Sequence, residues 1–106
     1  VVKALAAPRR RFDAVLSEAI DEGLKAVLGE TGREVVYYNL KSIYGLERES
    51  VSKNPEILLE SLYRLFGAGA EVIERVILEK LCLKLGIKPE NVKLIDFIRG
   101  IKRQYE

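Results

Sequence analysis

Four glycines, Gly29, Gly45, Gly67 and Gly86, each close a run in which apolar residues recur every three or four positions. Residues at i, i+4, i+7 and i+8 share one face of a helix, and a glycine just past the run supplies the left-handed backbone that ends it. That pattern leaves little room for strands. From Phe12 the apolar positions are Phe12, Leu16, Ala19, Ile20, Gly23, Leu24, Val27 and Leu28, with Asp13, Glu18, Asp21, Glu22 and Lys25 on the other side. The spacing predicts an amphipathic helix stopped at Gly29.

The next stretch, "EVVYYNLKSIYG", is harder to assign, because its first half is rich in β-branched and aromatic residues. Thr31 followed by Glu34 matches a capping box, in which each side chain satisfies a free backbone N–H. Counted from there, Val36, Tyr37, Leu40, Ile43 and Tyr44 fall on one helical face, with Gly45 as the stop. A strand would give no polar alternation, so the helix is preferred. This phase puts Tyr37 and Tyr44 in the core beside Leu40 and Ile43, and turns Tyr38 outward.

Asn54–Pro55 opens a further helix, with Asn as cap and Pro at the first position. That helix carries Leu58, Leu62, Leu65 and Phe66 to Gly67. After "GAGA", the segment from Ala70 to Leu85 is apolar around nearly its whole circumference, as expected of a central helix or one with a face kept for a partner. A last helix follows Pro89, with Leu94, Phe97, Ile98, Ile101 and Tyr105 aligned. The expectation is an all-α fold, a compact bundle of about five helices with the helix at about 70–85 central. Residues 1–11 read as a basic N-terminal arm and 12–106 as one helical domain.

At 106 residues the chain can build one core without staples. No apolar run approaches the ~20 residues that cross a bilayer, and no secretory signal is visible. The one cysteine, Cys82, lies in an apolar run, reads as a buried hydrophobe, and fits a reducing interior. Histidine, methionine and tryptophan are missing, and Gln104 is the one glutamine. Scarce thermolabile residues beside abundant Lys, Arg and Glu match the bias of thermophiles. Without histidine the chain lacks the commonest general base and transition-metal ligand.

The net charge of +2 is unevenly spread: Lys3, Arg9, Arg10 and Arg11 begin the chain with no acid among them. Three arginines at a helix N-terminus oppose the helix dipole, so helix stability does not account for them. They suit nucleic acid, an acidic partner or an anionic surface, or else a solvated tail. "FGAGAE" is read as a tight turn, since it lacks the Lys–Ser/Thr of a phosphate loop. Nor does it begin a DNA-reading helix, because Glu71, Glu74 and Glu79 would repel phosphates. The acids Glu18, Asp21 and Glu22, and the pair Glu47 and Glu49, are placed on a solvated face or in a loop, where no apolar pocket separates two carboxyl pKa values.

From Gly29 onward, "GETGREVVYYNLKSIYGL" and "NPEILLESLYRLFGAGAEVIERVILEKLCLKLGI" resemble the small archaeal family called the Nitrosopumilus output domain, the fifth of its series. The resemblance covers Phe12 to Ile87 and rests most on the Tyr-rich helix ending in "YGL", the Asn54–Pro55 start and "FGAGAEVIE". It implies an all-helical output or interaction module of signalling proteins, an archaeal cytoplasmic setting and no catalytic residues. The function expected is therefore a non-enzymatic interaction or regulatory module, self-associating as a homodimer or binding another protein, without cofactor or metal. Tyr38, Leu94, Phe97 and Ile101 are the candidate interface. The alternative is a nucleic-acid-associated protein that uses Arg9, Arg10, Arg11, Lys102 and Arg103.

Overall fold

The computed structural model describes the backbone from Arg9 to Gln104 and side chains from Phe12 onward. Most of the expected basic arm therefore lies outside the described residues, as do Tyr105 and the side chains of Arg9, Arg10 and Arg11. The described residues are all helical: α1 (Arg9–Tyr44), α2 (Pro55–Phe66), α3 (Ala70–Leu85) and α4 (Leu94–Gln104). A 3-10 turn, Arg48–Lys53, joins α1 to α2, and a shorter one, Gly67–Gly69, joins α2 to α3.

The helices number four, not five. The two expected between Phe12 and Tyr44 are halves of α1, joined through a single non-helical residue, Gly29 (φ 78°, ψ 176°). A straight helix of 36 residues would be about 54 Å long, yet the longest extent of the molecule is 37 Å. The chain reverses at Gly29, which is why the Tyr37 hydroxyl can donate to Asp21, sixteen residues earlier, at 3.1 Å. Glycine alone absorbs the reversal, so no loop separates the halves. The expected capping box does not form its reciprocal bond, because the Glu34 carboxylate is taken by Arg33 and Arg48 instead.

The first half of α1 packs antiparallel on α3. Lys84 near the end of α3 reaches Glu18 and Glu22 at 3.4 and 2.8 Å, while Gly23 lies against Ile77 one stretch further along. A Cβ on Gly23 would sit 2.5 Å from Ile77 Cγ1 and 3.1 Å from its Cα, so glycine is what lets the two helices approach. Leu16, Ala19, Ile20 and Leu24 meet Ile73, Ile77, Leu81 and Cys82 in the buried core. Cys82 is fully buried and free, and burial pushes its thiol pKa up. Gly86 takes the left-handed conformation expected of it, and the Ile87 N–H bonds back to the Cys82 carbonyl at 3.0 Å, closing α3.

The second half of α1 buries Val36 and Leu40 and half-buries Tyr37 and Tyr44. Ile43, expected inside, is 55% exposed, because the reversal at Gly29 sets this half against α2 through the Leu40 side of the helix. α4 is stitched on by Leu94, Ile98 and Ile101, all buried, and by Glu74. The Glu74 carboxylate is itself buried; it accepts from the Leu94 N–H and from the Tyr63 hydroxyl, each at 3.1 Å. A carboxylate at a helix N-terminus satisfies free N–H groups and complements the dipole, which is how a charge is retained at this depth. Burial and the bond to Glu74 hold the Tyr63 phenol above its ordinary pKa.

Candidate functional site

The densest polar arrangement centres on Asp21. Its Oδ1 accepts from the Tyr37 hydroxyl at 3.1 Å and from Arg48 Nη2 at 2.8 Å, and its Oδ2 accepts from Arg33 Nη1 at 3.1 Å. Arg48 also lies over the Tyr37 ring, 4.2 Å from its centroid, and donates to Glu34 at 3.4 Å. These groups come from both halves of α1 and from the 3-10 turn, brought together by the reversal at Gly29. Of these, Asp21, Tyr37 and Arg48 border an open cleft of about 240 Å³ that also touches Ser17, Glu18 and Glu22.

The chemistry of this cleft is self-contained. Burial raises the Tyr37 phenol pKa, and the neighbouring Asp21 charge and hydrogen bond raise it further, so the hydroxyl is a firm donor and a poor base. Asp21 has both oxygens engaged. Lys84 spans Glu22 and Glu18, and those bonds raise its pKa. Every charge here meets its opposite, an arrangement suited to holding elements together. Sequence reading placed Asp21 on a solvated face and did not single out Arg33 or Arg48. Their partners lie 12 and 27 residues away, and no local spacing signals them.

The residues expected to form an interface do not share a surface. Leu94 and Ile101 belong to the core, and Phe97 is partly buried against it. The α4 stripe that looked wide for a small domain is covered by the domain itself at Leu94 and Ile98, while Phe97 and the edge of Ile101 border a groove. Tyr38 is 73% exposed, as its helical phase required. Around it on the exposed side of α1 lie Thr31, Val35 and Ser42, with the charged Glu34 and Lys41 one turn to either side. Val35 and Ile43 are each at least half exposed. α3 also presents Val72 and Leu83 to solvent, but the Arg75–Glu79 pair at 3.2 Å runs beside them.

Lys102 and Arg103 occupy the last turn of α4. α1 runs antiparallel to α3, and the C-terminal end of α4 shares a groove with Ile87, just past the end of α3. Among the described residues, no cluster of three or more His, Cys, Asp or Glu side chains has metal-binding geometry. No described helix is long and apolar enough to cross a membrane. No protein-family model, curated protein or solved structure matches the chain.

Proposed function

We propose that this chain is a non-enzymatic interaction module of a regulatory or signalling kind, and that it associates with a second copy through the exposed side of α1 around Tyr38. The carrying observation is the apolar exposure on that half of α1: Tyr38 is 73% exposed, and Val35 and Ile43 are each at least half exposed. An exposed aromatic beside exposed Val35 and Ile43 gains from being covered, and a two-fold copy offers the same apolar surface in return, with Glu34 and Lys41 able to pair across it. The polar cleft at Asp21 supports the non-enzymatic reading, since its carboxylate and guanidinium groups are spent on one another. The resemblance to the Nitrosopumilus output domain family points to an output module in an archaeal cytoplasm, and the scarcity of thermolabile residues suits a thermophile.

Sedimentation equilibrium tests this reading. The expected result is a mass moving from 12.0 kDa toward twice that value as concentration rises, with Tyr38→Asp restoring the monomer and leaving the helical spectrum unchanged. A monomer at every concentration, or a dimer indifferent to Tyr38→Asp, overturns it.

A second reading has one specific observation in its favour. Bases gather in sequence near both ends of the chain, at Arg9, Arg10 and Arg11 and in the α4 turn of Lys102 and Arg103. Five such bases suit a phosphate backbone. DNA or RNA binding that weakens steeply with added salt would support it, and no binding at low salt would remove it.

A further inference from the structure

The segment joining α3 to α4 and the outer side of α4 enclose a groove of about 550 Å³. Ile87, Val92, Phe97 and Ile101 line it with apolar surface, while Glu90 and Asp96 outnumber the single base, Lys88, among its charged residues. At Gly100 the wall is open: a Cβ there would meet nothing within 4 Å.

We propose that this groove is the docking site of the chain's own residues 1–7. Those residues lie outside the described structure and enter through their sequence, "VVKALAA": six apolar side chains and one base, Lys3. That chemistry complements an apolar floor with an acidic excess. Position agrees. The antiparallel register of α1 on α3 brings the start of α1 alongside the chain that leaves α3 at Gly86 and Ile87, where the groove begins. Reach agrees as well. Seven extended residues span about 25 Å, whereas α4 from Asp96 to Gln104 rises only about 12 Å. Pro8 biases the residue before it away from helical backbone, so the segment need not continue along the axis of α1. The inference stands apart from the Tyr38 face, and either can fail alone.

The test uses the full chain carrying Val2→Cys, labelled with a nitroxide; Cys82, fully buried, stays unlabelled. The expected result is selective broadening of the amide signals of Val92, Phe97, Ile101 and Gln104, unchanged when labelled protein is diluted into unlabelled chains. Gly100→Phe enters the groove from a position whose Cβ meets nothing within 4 Å and replaces a helical glycine, so it should keep the fold and abolish the broadening. Lys3→Glu should reduce it several-fold. Broadening absent from the groove, broadening seen only on a different copy, or broadening that survives a folded Gly100→Phe overturns the proposal.

Discussion

Tyr37 and Tyr38 are neighbours in sequence, and one step of helical phase gives them opposite roles. Tyr37 is half-buried and hydrogen-bonded to Asp21, whereas Tyr38 stands in solvent. Tyr37→Phe removes a bond to a charged acceptor, which should cost about 1–2 kcal/mol in urea denaturation, while Tyr38→Phe should cost almost nothing. The pH dependence follows from the same contact. The folded state holds the Tyr37 proton more tightly than the unfolded chain does. Its contribution is therefore complete below the ordinary tyrosine pKa near 10 and is lost as pH climbs through and beyond that value. Stability of the parent chain should fall more steeply above pH 10 than that of Tyr37→Phe; parallel curves would refute the assignment. Gly23 offers a second test at this scale. Alanine would gain about 1 kcal/mol of helix propensity, but its Cβ would fall 3.1 Å from the Ile77 Cα, which is backbone and cannot swing aside. Overpacking of this kind costs about 1–3 kcal/mol, so Gly23→Ala should lower the melting temperature, and a rise would mean the helices separate freely.

At the scale of elements, the sequence was legible wherever the information is local. Pro55 starts α2, Gly86 ends α3, and Cys82 lies inside, each as apolar spacing and backbone preference required. Gly29 was recognised as a break, but its sequence could not say whether a loop or a reversal follows. That depends on Leu24 and Leu40 finding one core, a contact across 16 residues. The same limit misplaced Ile43, whose phase lies at the edge of the buried arc, and turned the buried Leu94 and Ile101 into a candidate surface. The Asp21 cluster was invisible for this reason too, since all of its partners are distant in sequence. The conformation of Gly29 yields a prediction. At φ 78° and ψ 176° the backbone lies in a region that is essentially glycine's alone, where another residue carries roughly 1–3 kcal/mol of strain, and nothing lies within 4 Å of a Cβ there, so no clash confuses the reading. Gly29→Ala should lower stability by about that amount, measured by thermal melting with the helical content retained. An unchanged melting temperature would show that the reversal does not need this backbone.

For the molecule as a whole, the question is which of its ion pairs matter. Most lie at the surface: Arg99–Glu56 at 3.4 Å and Lys41–Glu47 at 3.7 Å join side chains that are each more than half exposed. Pairs of this kind contribute about 0–1 kcal/mol and fade with salt. Asp21 differs in two respects. Its side chain is 32% exposed and that of Arg33 only 17%, so water replaces a lost bond poorly. It also binds three groups from two further stretches of chain, the far half of α1 twice and the 3-10 turn once, so that it fastens the hairpin to the connection leading into α2. Asp21→Asn keeps the shape and removes the charge, leaving Arg33 and Arg48 facing an amide that satisfies neither well. A loss of about 2–3 kcal/mol is expected, as for hydrogen bonds to charged groups, against less than about 0.5 kcal/mol for Glu56→Gln. The two variants should also part in salt: the Asp21→Asn deficit should persist in concentrated NaCl, while any effect of Glu56→Gln disappears. Amide exchange would place the damage, with faster exchange in Arg48–Lys53 and around Tyr37 and none in α4. Equal losses in the two variants, or a deficit at Asp21 that salt erases, would make the cluster one more surface pair and leave the hairpin held by its apolar side chains alone.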